Sequence, residues 1–447
     1  MKKTVTTLMV MSLAGNVLPA FNVLAISGLF PMYFLGRDAQ SMRKDGYAPE
    51  AARRFLLAAY VYWFVSYLFT GAPLSNFASF EFLRFDGALF TAYLPLLFFT
   101  DVRLDPAFVR RAIGLFLTIL SLAALLGVAE FADRTIVPLG FSVLPDGLQL
   151  IHNSSLTNNI FHGLFRSHNG AGAVYAIAAL ISFSLFVGSK KPAVLSWSAF
   201  WLAANFAGLV LTQSRTAYVS FLVAILLVFF RRPQTLGKTL KYGGVVLVPL
   251  LYFLLVQPAV MQRTEAVSNL EDPNILIRFI YYHRALDDFV QSPIVGTGFG
   301  RFNDQLKIHS GVPHLVYFAT GGSIVNDDSH AHNSYLHFLA EGGVLGLGLM
   351  LGVWVSAFRW IGRQKMIFEE GSFGRNLAEA IQACIVLEFF MSFTEHMMGT
   401  AVSSLAILTM ASLFLNLVGW KYRLAGLFDP RPVSEGGLVP WTAPSIP

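Results

Sequence analysis

Apolar segments close to the length of a membrane span recur along this 447-residue chain, and they constrain its fold more than any other feature. A helix needs about 20 apolar residues to cross a ~30 Å hydrocarbon layer, where only helices and closed barrels satisfy their backbone hydrogen bonds. Hydrophobic residues make up 55% of the chain and charged residues only 13%, whereas a soluble domain carries roughly a quarter charged residues. The sequence therefore predicts an all-α, polytopic integral membrane protein.

The apolar segments predict about twelve transmembrane helices. They fall at approximately residues 5–17, 19–36, 54–71, 85–100, 107–129, 168–188, 194–212, 216–230, 242–257, 334–358, 377–393 and 399–420. The first two segments form either one span or a hairpin of two. The count therefore needs a check that does not depend on hydropathy.

Positive charge provides this check, because short cytoplasmic loops carry an excess of Lys and Arg. With twelve spans, 23 of the 32 Lys and Arg residues fall on one side of the membrane. A single first span would place Lys2 and Lys3 opposite the basic loop 37–54, so we expect twelve spans and cytoplasmic termini. The net charge of +6 is spread over these loops and not gathered on one face, which argues against nucleic-acid binding.

The spans form one domain, residues 1–423, with two long loops on the outer side of the membrane. These loops are 130–167 and, between spans nine and ten, 258–333; loops of this length are usually functional. Within the second loop, "NILIRFIYYHRALDDFV" has apolar residues at helical spacing and predicts a helix at the membrane surface. The Pro- and Gly-rich residues 424–447 predict a disordered cytoplasmic tail.

Polar residues stand at the outer end of the tenth span, in "SHAHNSYLHFLAEGGVLG". Asn333 and Ser334 are good N-cap residues, so the span is expected to begin here with its positive dipole end facing outward. His332 lies just before that end, where a neutral imidazole can accept a proton. Farther along, Gly342 with Gly346, and the pair Gly348 and Gly352, predict close packing of another helix.

Other roles are open for His332. It can cap the helix or lie among lipid headgroups. It can also join Asp327, Asp328 and His330 in binding a divalent cation. Because these groups lie in one segment and no second carboxylate group completes the site, we predict no metal.

Arg215 interrupts two apolar segments at their outward turn, where a charge is costly unless it has a partner. It either extends toward lipid headgroups or forms an anion site, since a guanidinium matches phosphate oxygens. In the predicted surface helix, Arg278 shares a face with Tyr282 and Ala285. Arg284 lies on another face, so Arg278 is the preferred second ligand and Arg284 the alternative.

Further polar residues lie near or within the spans. Arg166 and Asn169 stand at the outward start of the sixth span, where they either line the same cavity or cap the helix. Glu388 lies within an apolar segment, and an ionisable group there suggests function, although its partner cannot be named. Glu395 and His396, in the next outward loop, rank behind these candidates.

The stretch "HNSYLHFLAEGGVLG" fits the pattern His-[Asn/Ser/Gln]-x9-Gly-x-x-[Gly/Thr/Tyr], beginning at His332. It resembles the signature of the bacterial O-antigen ligase and O-antigen polymerase superfamily. Similar matches are "SRTA" around Arg215, "RFIYYHRALDDFVQSPIVGTGFGRF" from Arg278 and "HNGAGAVYAIAAL" around Asn169, over about residues 160–350. One departure is Tyr282, where the family usually has Trp.

The resemblance implies inverting glycosyl transfer, without metal or other cofactor, at the periplasmic face of the bacterial inner membrane. It implies an undecaprenyl-diphosphate-linked polysaccharide as donor and a sugar hydroxyl of lipid A-core as acceptor. It assigns His332 as general base and Arg215 and Arg278 as diphosphate ligands. Asn333, Arg166 and Asn169 are expected to contribute to substrate binding.

The resemblance leaves the acceptor open. Twelve spans with the long loop between spans nine and ten favour an O-antigen ligase. An O-antigen polymerase or a protein O-oligosaccharyltransferase would share the donor and the chemistry. A transporter or flippase for an anionic lipid is the alternative from another class, and it predicts paired, interrupted helices that the sequence does not show.

Overall fold

The computed structural model of the protein describes residues 50–70, 92–93, 96, 104–135, 150–152, 160–165, 167–230, 273–302, 330–398 and 401–424. These residues are helical except for connecting turns and one antiparallel pair of two-residue strands. The helices are α1 (Glu50–Phe69), α2 (Pro106–Thr135), α3 (His168–Gly188), α4 (Pro192–Leu211), α5 (Arg215–Phe230), α6 (Pro273–Gln291), α7 (Ser334–Gln364), α8 (Phe373–Met391) and α9 (Ala401–Leu424). The strands are β1 (Ile151–His152) and β2 (Ile160–Phe161), and a 3₁₀ turn, Lys365–Ile367, follows α7.

The prediction of an all-α, polytopic membrane protein is confirmed. Five helices within the described ranges are long and apolar enough to cross a membrane: Pro106–Arg134, His168–Gly188, Pro192–Leu211, Ser334–Ile367 and Ser403–Tyr422. The predicted segments 5–17, 19–36, 242–257 and most of 85–100 lie outside the described residues, as does the tail beyond residue 424. The count of twelve and the cytoplasmic termini therefore stay predictions.

Most helix boundaries match the sequence because the caps and prolines lie where the apolar segments begin. Asn333 caps α7, and its side chain accepts the Leu336 N–H as predicted. Ser167 caps α3 in the same way, and α4 begins with a proline. In contrast, α2 continues to Thr135, into the segment that the sequence predicts as the start of the loop 130–167.

Helix α3 lies at the centre of the described bundle. Every residue from Gly170 to Leu185 is buried, and α2, α4, α5, α8 and α9 all pack against it. A helix that is apolar on all sides is expected in this position, because no face has to meet water. The N-termini of α3, α5 and α7 and the C-terminus of α8 meet at one end of the bundle.

Small residues of α7 let α1 approach closely, as the glycine pairs predict. A Cβ on Gly342 would lie 2.4 Å from the Trp63 ring, and one on Gly352 would lie 2.4 Å from Phe55. Gly346 also faces Trp63, at 2.9 Å. The prediction is wrong for Gly348, where an added Cβ would meet no described atom within 4 Å.

Helix α7 is broken at Gly343, whose φ of 59° and ψ of −164° are essentially restricted to glycine. Helical hydrogen bonds are lost at this break, and the turn 293–298 that follows α6 replaces them. The replacements are Thr297 N–H to Ala340 O (2.9 Å), Gly298 N–H to Glu341 O (3.0 Å) and Val344 N–H to Pro293 O (2.9 Å). The turn therefore fixes α6 to α7.

We expect Gly343→Ala to lower the free energy of unfolding by about 2–3 kcal/mol, because the backbone conformation strains any side chain. Its Cβ would also lie 2.3 Å from the carbonyl oxygen of Ile294. The measurement is thermal unfolding of the detergent-solubilised protein. The matched control is Gly348→Ala in the same helix, and equal stability of the two variants would contradict the role of the break.

Candidate active site

The turn before α7 holds His332 in an uncommon backbone conformation. Its φ is +47°, in the left-handed region, and its N–H donates to Nδ1 of His330 at 3.1 Å. Directly after it, the side chain of Asn333 caps α7 and donates to the carbonyl oxygen of Phe393 at 3.0 Å. The backbone of Ser334 donates to Ser392 at 2.8 Å. The start of α7 is therefore anchored to the loop that follows α8.

That loop contributes Glu395, whose carboxylate joins three parts of the chain. Oε1 accepts from Nη2 of Arg278 at 2.5 Å and from Nδ2 of Asn169 at 2.7 Å, while Oε2 lies 3.3 Å from Nδ1 of His332. The Glu395 side chain is only 6% exposed, whereas Arg278 and His332 are 29% and 30% exposed. A buried anion thus connects two groups that solvent and ligands can reach.

Helix α6 supports His332 as well as supplying Arg278. The Tyr282 hydroxyl lies 3.2 Å from the carbonyl oxygen of His332 and 3.3 Å from that of Phe393. Burial raises the pKa of Tyr282, so the hydroxyl keeps its proton and acts as a donor. The Tyr281 ring stacks on the imidazole with 5° between the planes. The predicted shared face of Arg278 and Tyr282 is confirmed.

Arg215 is the first residue of α5, and both of its neighbours bond to the elements around Glu395. Ser214 Oγ donates to Oδ1 of Asn169 at 2.8 Å, and the hydroxyl oxygens of Thr216 and Thr394 lie 2.8 Å apart. The half-buried Arg215 side chain has no hydrogen-bond or ion-pair partner among the described residues. Its position beside Asn169 and Thr394 leaves the guanidinium available for an anion.

The other predicted site residues lie in different settings. Arg284 is buried and pairs with Asp288 one turn along α6. The amide groups of Asn333 and Asn169 are held by protein partners, so both support the site's framework. Arg166 lies outside the described residues.

A comparison of this sequence with known protein families matches the part of the chain that contains three of these residues. Residues 197–351 match the family model described as O-Antigen ligase, a stretch that contains Arg215, Arg278 and His332. This stretch supports a place for the chain in the O-antigen ligase and polymerase superfamily. The match spans about a third of the chain and does not separate ligase from polymerase. A search of curated proteins found no match.

Glu395 lies beyond the matched O-antigen ligase stretch, and sequence reasoning ranked it low. Its partners Arg278 and His332 are 117 and 63 residues away along the chain, so no local pattern connects them. The available signal was its place in a short polar loop on the same predicted side as His332. Loops on the same predicted side place Glu395 and His332 at the same end of the bundle, but they do not show that the two residues are in contact.

Glu388, the acidic residue within a predicted span, is fully buried in α8. Its Oε1 accepts from Ser403 at 3.1 Å and from Ser404 at 2.8 Å, both in α9. These are the partners that the sequence could not name. No described contact connects Glu388 to the candidate site residues, so its local role is to join α8 to α9.

Two sets of residues are candidate metal ligands, one from the sequence and one from the structure. Asp327 and Asp328 lie outside the described residues, but His330, His332 and Glu395 offer ligand atoms within 4.8 Å of one another. Two contacts disfavour a cation there. The Arg278 guanidinium already neutralises Glu395, and Nδ1 of His330 accepts a backbone N–H, whereas metal-bound histidines usually donate from their second nitrogen.

Four histidine rings form a row that begins at His332. The ring of His330 lies 4.3 Å from His332 and 5.5 Å from His396, and His396 lies 4.0 Å from His337. Burial lowers the pKa of His396 well below its ordinary value, and the neighbouring imidazoles add to this effect. The row is stable only while its buried members are neutral.

We expect the stability of the protein to fall as the pH falls below 6.5, the ordinary His value. In that window the unfolded chain binds a proton at His396 that the folded protein does not, which favours unfolding. Thermal midpoints measured at pH 7.5 and 5.5 should differ less in His396→Gln. The control is His283→Gln, an exposed histidine of α6, and an equal change in both variants would refute the assignment.

Proposed function

We propose that this protein is an O-antigen ligase. It transfers a polysaccharide from undecaprenyl diphosphate to a sugar hydroxyl of lipid A-core, with His332 as general base. The observation that carries the proposal is that Arg278 and His332 meet at the buried carboxylate of Glu395, while the residues on either side of Arg215 bond to the neighbouring Asn169 and Thr394. Phosphate ligands and a proton acceptor are the two components that this transfer requires.

The donor diphosphate binds to Arg215 and Arg278. A guanidinium binds phosphate oxygens through paired, charge-assisted hydrogen bonds, and such bonds strengthen where water is partly excluded. Negative charge grows on the leaving diphosphate as its bond to the sugar breaks. Two fixed cations stabilise that charge at little reorganisation cost, so a metal ion is unnecessary.

The reaction proceeds by attack on the opposite face of the donor sugar. The acceptor hydroxyl oxygen bonds to the anomeric carbon, and the bond from that carbon to the phosphate oxygen breaks. The electron pair leaves with undecaprenyl diphosphate, and Nε2 of His332 takes the hydroxyl proton. Since Nδ1 faces Glu395, the ring presents Nε2 to the acceptor, and the imidazolium proton then passes to water.

The charge distribution supports a site at the periplasmic face of the inner membrane. The basic residues at the other ends of the helices include Lys190 and Lys191 between α3 and α4, Arg363 in α7, and Arg375 in α8. Cytoplasmic loops collect such residues, so the opposite end, which carries His332, faces the periplasm. The isoprenoid chain then lies against the lipid-facing helices while the sugars stay in water.

Purified protein should transfer glycan from undecaprenyl diphosphate to rough lipopolysaccharide in the presence of EDTA. The measurement is a gel shift of the lipopolysaccharide product. Lengthened lipid-linked glycan would instead indicate a polymerase, and glycan on a pilin-like protein a protein transferase. Dependence on an added divalent cation would contradict the proposed chemistry, and lipid movement without any transfer would favour a flippase.

His332→Ala should reduce the transfer rate by about 10²–10⁴-fold while the protein still binds the donor lipid. Arg215→Ala and Arg278→Ala should instead weaken binding of undecaprenyl diphosphate, because each removes a phosphate ligand. Binding and single-turnover transfer are measured separately for each variant. The controls are His283→Ala and Arg110→Ala, both exposed side chains away from the site, and normal turnover by His332→Ala would refute the base assignment.

A further inference from the structure

Glu395 has two charged or chargeable partners and reaches them unequally. Oε1 is 2.5 Å from the Arg278 guanidinium, a short charge-assisted hydrogen bond. Oε2 is 3.3 Å from Nδ1 of His332, beyond the usual range of a hydrogen bond between N–H and O. Without substrate, the carboxylate is therefore bound mainly to the arginine.

A donor diphosphate and Glu395 cannot both satisfy Arg278 fully. Both are anions that draw on the single positive charge of this guanidinium, and the Nη2 donor that Glu395 holds is no longer available for phosphate. Their mutual repulsion is strong, because Glu395 is 6% exposed and only partly screened by water. Binding of the diphosphate must therefore weaken the bond between Glu395 and Arg278.

The surroundings of Glu395 give the carboxylate one direction in which to move. Nδ2 of Asn169 holds Oε1 at 2.7 Å, and Asn169 is itself fixed by Ser214. His332 is the remaining polar partner of the Glu395 carboxylate among the described residues. A carboxylate released by Arg278 but held by Asn169 tightens onto His332.

We propose that Glu395 is a positioning residue that couples donor binding to activation of His332. This inference rests on the proposed function. Arrival of the diphosphate at Arg278 shifts Glu395 toward Nδ1 of His332, which orients the imidazole and stabilises the imidazolium formed when it takes the acceptor proton. The base thus becomes effective only when a donor is bound.

The same exchange assists the release of product. Once the proton has left His332, the imidazole is neutral and attracts Glu395 less. The carboxylate then competes again with undecaprenyl diphosphate for Arg278. Glu395 therefore weakens binding of the donor lipid before the reaction and of the lipid product after it. During the chemical step between them, the same carboxylate supports His332.

The test is Glu395→Gln, which removes the negative charge and keeps the size of the side chain. We expect undecaprenyl diphosphate to bind about 3- to 10-fold more tightly, because a repelling anion and a competitor for Arg278 are lost. We expect the single-turnover transfer rate at saturating donor to fall by about 10- to 100-fold. A purely structural ion pair would not produce tighter binding together with slower chemistry.

The matched control is Glu379→Gln, a buried glutamate of α8 that pairs with Arg375 at 3.2 Å. It removes the same charge and should leave donor affinity and transfer rate unchanged. Weaker or equal lipid binding by Glu395→Gln would overturn the exchange while leaving the proposed function intact. Failure of the unaltered protein to bind the lipid would instead refute the proposed function.

A measurement on the unaltered protein does not depend on folding of the variant. In protein labelled with ¹⁵N-histidine, undecaprenyl diphosphate without acceptor should shift the Nδ1 resonance of His332, which is assigned with His332→Gln. The shift is expected because the carboxylate approaches that nitrogen. An unchanged resonance at saturating lipid would also overturn the exchange.

Discussion

Inside an apolar helix bundle, a backbone N–H or carbonyl group that loses its helical partner must find another. Gly343 creates this requirement in the first third of α7, and the turn 293–298 satisfies it through the hydrogen bonds around the break. Because this turn follows α6 directly, the same bonds set the position of α6 on α7. The placement of Arg278 relative to His332 therefore depends on a glycine that touches neither residue.

The site itself depends on one buried carboxylate among several cationic or neutral nitrogen groups. Glu395 is nearly inaccessible to water, and the hydrogen bonds that Arg278 and Asn169 donate to its carboxylate offset the cost of burying it. Without Glu395, Arg278 would be an unpaired, partly exposed cation. Without Arg278, Glu395 would be a buried, unpaired anion. The protein thus keeps Arg278 and His332 in one electrostatic unit.

The sequence predicted the helices well because membrane spans are defined by length and apolar composition, which are local properties. It also predicted the cap at Asn333 and the shared face of Arg278 and Tyr282, since both follow from helical spacing. It did not predict the break at Gly343, because a glycine in a membrane helix equally suits close packing, as at Gly342. Glu395 was ranked low because its contacts join segments far apart in the chain, and only the folded arrangement shows them.

The remaining asymmetry between the two arginines bears on how the donor is recognised. Arg278 is paired with Glu395, whereas the guanidinium of Arg215 has no partner among the described residues. An unpaired, half-buried cation carries a solvation cost that an anionic ligand relieves, so Arg215 gains more from a first phosphate than Arg278 does. The diphosphate should therefore engage Arg215 first and then compete with Glu395 for the charge of Arg278. This order places the step that activates His332 after capture of the lipid.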